Sequence, residues 1–451
     1  MELRDHDLES IVSLTHVCHY WRESIISTPE NWSFISTPRS ILRLDWMALS
    51  LERSKAAPLH LRLDMVFLRP EPEFFDLLAP HIQRTRTLQF EDIETNEDFT
   101  EALPNFPQSM PNLQALDLIH SVYEGAPYWD PSIDPFGLFP NTLTSLILYD
   151  IPLFPSFLKI RTLTKLGLYY YQVHPTGTLD TLLDLVEDNC SLGSVDLMID
   201  VKSPPSSGSR RRAAVSNRLR RLLVSCRDAT TTRTLISNIP LQTGAHLEIA
   251  FRDKGVELEL DKVLSGIPVT HFQNLPSPNF MEYSYSEAPP SFRAIRLIGP
   301  NGSFSYRHDH SMRELFAEFS VLPLNNIQEL RFVGAGLPIP FDPSSFPALK
   351  ALTLVRATGM SRVFSPLLSD PSLFPSLKIL GFLDCAITEA FMEELTWFAS
   401  DRKDTASAWL HRVAIVHQGG ELPSAASIRG LERHVSVVEV RVGKDLPADL
   451  T

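Results

Sequence analysis

The sequence predicts an α/β chain in which a short N-terminal helical module leads into a long solenoid built on a curved parallel sheet. Three observations predict it. A Leu-x-x-Leu-x-Leu frame recurs between residues 113 and 382. Apolar residues near the N-terminus fall instead at helical spacing. Thirty-five prolines in 451 residues exceed the usual share of roughly 5%, which suits many short elements separated by turns.

A chain of 451 residues exceeds the ~100–200 of a typical single domain, so it divides into domains or extends as a repeat array. Hydrophobic residues at 43% and charged residues at 21% exclude wholesale disorder. A net charge of −13 argues against general nucleic-acid binding, which needs a basic surface to release counterions. Met1-Glu2-Leu3-Arg4-Asp5 lacks the basic-then-apolar pattern of a signal peptide, and no run of about 18 apolar residues is present to span a bilayer. The expected setting is cytoplasmic and/or nuclear, without a membrane partner. Cys18, Cys190, Cys226 and Cys385 are widely spaced and form no CxxC pair, so they are expected reduced and mostly buried.

The helical module comes first. From Leu8 to Ile26, Leu14, Val17, Cys18 and Trp21 fall at i, i+3, i+4 and i+7, with Ile25 one turn on. That spacing makes one apolar face, which either joins the core or docks a partner. Thr28-Pro29 stops the helix, and Trp32 follows.

The run from Leu14 to Arg22, then Ser27-Thr28-Pro29 and Trp32, resembles the second half of an F-box as found in the large F-box-like families of mushroom-forming fungi. Downstream, Leu51-Glu52-Arg53-Ser54, Ala57-Pro58-Leu59 and Pro80-His81-Ile82 with Arg84 and Leu88 resemble the segments joining that box to its repeats, so the likeness covers roughly residues 8–92. The family's opening helix, with its Leu-Pro and following Glu, has no counterpart here, which reads as a truncated or degenerate box. The resemblance implies a substrate receptor of an SCF-type (cullin-RING) ubiquitin ligase. A Skp-family linker subunit would dock on Leu14, Val17, Cys18, Trp21 and, at the rim, Arg22.

The repeats follow. The frame appears at Leu113, Leu116, Leu118; Leu143, Leu146, Leu148; Leu163, Leu166, Leu168; and Leu192, Val195, Leu197. It returns at Phe292, Ile295, Leu297; Ile327, Leu330, Phe332; Leu349, Leu352, Leu354; and Leu377, Leu380, Phe382, with Leu247-x-Ile249 a weaker copy. This is the strand signature of leucine-rich repeats. Met110-Pro111, Phe139-Pro140, Phe346-Pro347 and Phe374-Pro375 each introduce a copy. Leu179, Leu182, Leu183 and Val186, then Phe391, Leu395 and Phe398, form helical stripes, and Ser311-Met312-Arg313-Glu314 reads as a capping box. Val413-Ala414-Ile415 and Val437-Val438-Glu439-Val440 are expected closing strands.

The predicted organisation is therefore a partial F-box-like module over 1–38, linking helices and first repeat strands over 39–100, and a leucine-rich-repeat-like solenoid over 101–451. Two loop insertions are expected. Residues 203–221 run from Ser and Pro into Arg210-Arg211-Arg212, Arg218, Arg220 and Arg221, suggesting a loop entering a basic helix, and residues 276–291 read as an exposed loop.

No GxSxG, Walker-type, GxGxxG or HExxH motif occurs, so no enzymatic activity, cofactor or metal is expected. His16, Cys18 and His19 cannot all point one way on a helix. His308-Asp309-His310 reads as a solvated turn, and Glu91, Asp92, Glu94, Glu97 and Asp98 as a solvated acidic run.

In each frame the last two apolar residues point to the core, so the intervening residue and its like face outward. Those positions are Asp117, Ile147, Tyr149, Gly167, Tyr169, Arg296, Arg331, Val333 and Thr353. Aromatic and arginine side chains anchor interfaces, which makes Tyr149, Tyr169, Arg296 and Arg331 the expected contacts to an unknown target protein. The competing reading is a leucine-rich-repeat scaffold whose degenerate box engages no ligase.

Overall fold

Each leucine frame becomes a strand because its apolar residues alternate and stack in register on those of the next copy. The computed structural model describes residues 13, 15–36, 44–65, 72–93, 110–120, 142–170, 179–199, 219–226, 229–239, 241–242, 245–251, 280–286, 292–299, 302–308, 324–334, 346–357, 373–405, 409–417 and 422–442. The chain divides into two compact units, Met1–Leu219 and Arg220–Thr451.

The first unit begins with α1 (His19–Ser27), a 3₁₀ turn (Pro29–Trp32), β1 (Phe34–Ser36) and α2 (Leu44–Arg53). It continues through β2 (Leu59–Asp64), α3 (Pro72–Leu78), β3 (Thr85–Ile93), β4 (Ala115–His120), β5 (Ser145–Tyr149), β6 (Lys165–Tyr170), α4 (Leu179–Asp188) and β7 (Ser194–Ile199). Strands β1 to β7 pair in sequence order, all parallel. Leu61, Leu88, Leu116, Leu146, Leu166 and Val195 form one core row, and Leu63, Phe90, Leu118, Leu148, Leu168 and Leu197 the next. All twelve are buried, each contributing about 1.5–3 kcal/mol on transfer from water.

The second unit contains β8 (Arg221–Cys226), α5 (Ala229–Asn238), β9 (His246–Phe251), β10 (Phe280–Ser286), β11 (Phe292–Gly299), β12 (Gly302–His308), β13 (Glu329–Val333) and β14 (Ala351–Val355). Then come β15 (Ile379–Leu383), α6 (Glu389–Thr405), β16 (Arg412–His417), α7 (Ala425–Glu432) and β17 (Val437–Val442). Pairing runs β8–β9–β12–β11–β10–β13–β14–β15–β16–β17. Every pair is parallel except β10–β11 and β11–β12.

The α/β repeat architecture is the one the leucine frame predicts, with three corrections. The expected loop at 276–291 contains strand β10, whose Tyr/Ser alternation suits a pleated ribbon despite the prolines around it. The copy at Phe292 is a strand of reversed direction. Arg221 opens strand β8, so the predicted basic helix does not extend to it, and residues 203–218 lie outside the described residues. The Ser311 capping box and Phe139-Pro140 also lie outside them.

Proline acts in the turns that feed the strands. Met110-Pro111-Asn112-Leu113, Phe346-Pro347-Ala348-Leu349 and Phe374-Pro375-Ser376-Leu377 each close with the fourth N–H donating to the first carbonyl, at 3.1, 3.2 and 3.0 Å. The fixed proline φ suits the second position of such a turn. At the other end, Asp150, Gly334, Arg356 and Asp384 directly follow strands with φ of 51°, 115°, 53° and 54°. Their N–H groups donate to Tyr169, Val355, Leu383 and Val416 carbonyls at 2.7–2.8 Å. The left-handed residue thus adds one rung before the chain turns away.

Buried or half-buried polar side chains lock further turns among the described residues. Asn189 donates to the Ile160 and Leu185 carbonyls at 2.9 and 2.8 Å and accepts from the Leu163 N–H at 3.1 Å. The Arg84 guanidinium donates to the Leu51 and Ala57 carbonyls at 3.1 and 2.7 Å, closing the end of α2. Arg402 does the same for the Leu373, Phe374 and Leu377 carbonyls at 3.0–3.2 Å. A guanidinium provides five donors in a rigid fork, which fits a ring of carbonyls.

Candidate functional site

Helix α1 is held at its C-terminal end. The Trp32 indole Nε1 donates to the Ile25 carbonyl at 2.9 Å, and the Arg53 guanidinium lies 4.4 Å from the Trp32 ring centroid. Ile25 and Trp32 are both buried. At and just before the opposite end, Val17, Tyr20 and Trp21 are 63%, 76% and 47% exposed.

The helix expected to run unbroken from Leu8 to Ile26 is interrupted. Ser13 and Thr15 are helical, His16 and Val17 form a turn, and α1 starts at His19 with Cys18 as an extended N-cap, so Val17 and Cys18 precede α1 rather than continuing its face. Thr15, Val17 and Cys18 are weak helix formers, which favours the break. Trp21 and Ile25 remain one turn apart on it. Of the expected linker contacts, Val17, Cys18, Trp21 and Arg22 are exposed, Arg22 donates its Nε to the Thr15 carbonyl at 3.0 Å, and Leu14 lies outside the described residues. Cys226 and Cys385 are buried as expected, whereas Cys18 and Cys190 are exposed, and none of the four is in a disulfide.

The sheet face opposite the core carries the second set. In the first unit, Arg62, Gln89, Asp117, Ile147, Gly167 and Asp196 align across β2 to β7, and Ile119, Tyr149, Tyr169 and Met198 form the next row. The Tyr149 and Tyr169 rings stack with centroids 4.3 Å apart and planes 8° off parallel. Gly167 makes room for this, since a Cβ there would stand 2.9 Å from Tyr169 Cε2. Arg62 pairs with Glu91 at 2.8 Å, and Gln89 Nε2 donates to the same carboxylate at 2.6 Å, so Glu91 belongs to a side-chain network rather than to a solvated run. Asp117 stands out chemically. Burial pushes its carboxyl pKa up to about 6, against the opposing pull of Lys165. Burial and Arg86 lower the pKa of His60, whose Nδ1 is 2.9 Å from Thr87 Oγ1.

In the second unit, Glu248, Ser305, Arg296, Glu282, Arg331, Thr353, Gly381, Ala414 and Glu439 align across β9 to β17. Arg296 and Arg331 flank Glu282 in this register, with Arg331 and Glu282 3.6 Å apart. The four expected target contacts are thus brought together as two pairs, one in each unit. Glu282 went unnoticed in the sequence because it lies among prolines, although its strand alternates with period two.

Among the described residues no three His, Cys, Asp or Glu side chains converge to hold a metal, and His16, Cys18 and His19 form no such group. Of the expected His308-Asp309-His310 turn, His308 closes strand β12, and Asp309 and His310 lie outside the described residues. No helix among the described residues is long and apolar enough to cross a membrane. Together these arrangements offer adhesive surfaces: an aromatic strip beside a carboxyl group, a charged row, and an apolar helix end.

No family model and no curated protein matches the chain. Among solved structures it is similar to the leucine-rich repeat-containing protein LegL7 from Legionella pneumophila, at 13% identity and a TM-score of 0.31, over 81% of this chain and 94% of that one.

Proposed function

We propose that the chain is a non-enzymatic binding protein that captures a target protein on the sheet face opposite its core. The observation that carries this reading is the partly exposed row formed by Ile119 and the stacked Tyr149 and Tyr169, continued by the buried Met198 and lying one residue pair away from Asp117 and the buried Asp196. Rigid aromatic area beside charge is the usual composition of an energetic anchor. The charged row around Arg296, Glu282 and Arg331 provides a second contact.

The finer reading is a substrate-recognition subunit of an SCF-type ubiquitin ligase. It is supported by the F-box-like run from Leu14 to Trp32 and by the exposure of Val17, just before α1, and of Tyr20 and Trp21 in its first turn, on a helix anchored at its far end. The other subunits would supply the chemistry, and this chain would supply proximity. A repeat scaffold without ligase association uses the same sheet face and differs only in leaving α1 unoccupied.

Affinity capture from cells, compared between the natural chain and one carrying alanine at Tyr149, Tyr169, Arg296 and Arg331, tests the first reading. Capture of the specific target is expected to fall roughly ten-fold or more, with the unfolding temperature little changed. Capture that survives these changes but is lost on deleting residues 203–218 would assign recognition to the basic insertion.

A further inference from the structure

Strand β17 reads Val-Val-Glu-Val-Arg-Val and pairs, among the described residues, only with β16. Val438 and Val440 lie in register with Val413 and Ile415, which are fully buried. On β17, however, no side chain is buried, and Val437 and Val442 are 37% and 70% exposed. Among the described residues, the core rows therefore reach this strand without being covered on its far side.

Hydrogen-bond parity shows which groups face outward. The Val437 N–H donates to the His411 carbonyl at 3.0 Å, so Val437 faces β16. In a parallel ladder successive residues turn both backbone groups to alternate sides. Glu439 and Arg441 therefore also bond toward β16, while the N–H and C=O of Val438, Val440 and Val442 point to the open edge. Such an edge is a template for another strand.

We propose that its occupant is β17 of a second copy of this chain, antiparallel, with the two-fold axis at Val440. In an antiparallel pair the residues that present edge groups stand opposite one another and exchange both bonds. Axes at Glu439, Val440 or Arg441 all meet this condition. Charge selects among them. An axis at Glu439 sets that carboxylate against its own copy, and an axis at Arg441 does the same for the guanidinium; like charges directly opposite repel. An axis at Val440 sets Glu439 against the second Arg441 and Arg441 against the second Glu439, in the non-hydrogen-bonded sites where side chains approach most closely. On the other face Val438 meets Val442, and Val440 meets Val440. Glu439 is already oriented for this, lying 2.9 Å from Arg412 and 3.3 Å from Arg441 of its own strand. The interface is isologous and self-complementary.

Sedimentation velocity on the intact chain at about 50 μM tests the proposal, with a dimer expected. Val440→Pro removes an N–H that points to the open side, where proline is tolerated at an edge. This variant is expected to be monomeric with an unchanged unfolding temperature. Arg441→Glu, whose side chain is exposed, is expected to weaken dimerisation roughly ten-fold or more at low salt. A monomer at that concentration overturns the proposal, as does a dimer indifferent to Val440→Pro. A monomer that associates only after deletion of residues 443–451 also overturns it, by assigning the edge to the chain's own following segment.

Discussion

The ladder from β2 to β7 and the stretch from β9 to β13 are built from the same kind of strand, yet only the first is uniformly parallel. In the first, consecutive strands are separated by enough chain for a crossover. In the second, two residues separate β11 from β12 and five separate β10 from β11. A parallel connection needs a dozen or more residues, so these short links can only be hairpins. Phe292, Ile295 and Leu297 match the leucine frame because alternation records which face is buried and is blind to strand direction. The frame predicts the core, whereas connection length predicts topology.

The largest expected effect tests whether the two regions share one kind of core despite that difference. Leu168 and Ile295 are both fully buried, one in each region. Leu168→Ala and Ile295→Ala should each lower stability by about 2–5 kcal/mol in urea unfolding. A loss below about 1 kcal/mol at Ile295 alone would mean that the reversed strands are an appendage rather than part of the core.

A smaller effect concerns the left-handed residue after each strand. Asp150 in the first unit and Gly334 in the second hold equivalent posts, each adding one rung to the next strand. Gly334→Val should cost about 1–2 kcal/mol, because a β-branched residue at φ 115° is strained. Equal stability of the variant by thermal unfolding would show that this rung is dispensable.

Smallest is a pH effect confined to the first unit. Asp117 has a folded-state pKa of about 6 against an ordinary value of 3.8. Below the ordinary value both states are protonated, so the carboxyl costs nothing. As pH rises from about 4 to 6 the unfolded chain ionises first, stability falls, and the loss is complete above the folded value. Asp117→Asn should therefore stabilise the protein by about 1–2 kcal/mol at pH 7, with the gain fading by pH 4. A gain independent of pH would contradict the assignment.

Much of the fold was legible in the sequence, and for identifiable reasons. Leu116, Leu118 and their successors repeat at fixed offsets, and the outward positions of Asp117, Tyr149, Tyr169 and Arg331 follow from the pleat. The stacking of Tyr149 on Tyr169 was hidden, since it depends on the register between β5 and β6 and on the space left by Gly167. So was Glu282 between two arginines, because a hairpin, not sequence order, makes those strands neighbours. The break before His19 escaped the helical spacing because periodicity gives no boundary where weak helix formers cluster. Arg84 and Arg402 look like surface cations in sequence, and only the closure of their loops reveals carbonyls gathered around them.

The proposed function has the chain join two partners, a target on its sheet face and a ligase linker on the exposed end of α1. Calorimetric titration with a purified Skp-family linker subunit tests it most directly. Saturable binding is predicted for the natural chain, and loss of binding for a variant combining Val17→Asp with Trp21→Asp, whose exposed positions leave the unfolding temperature unchanged. No heat of binding from the natural chain, or binding that ignores both charges, would contradict it.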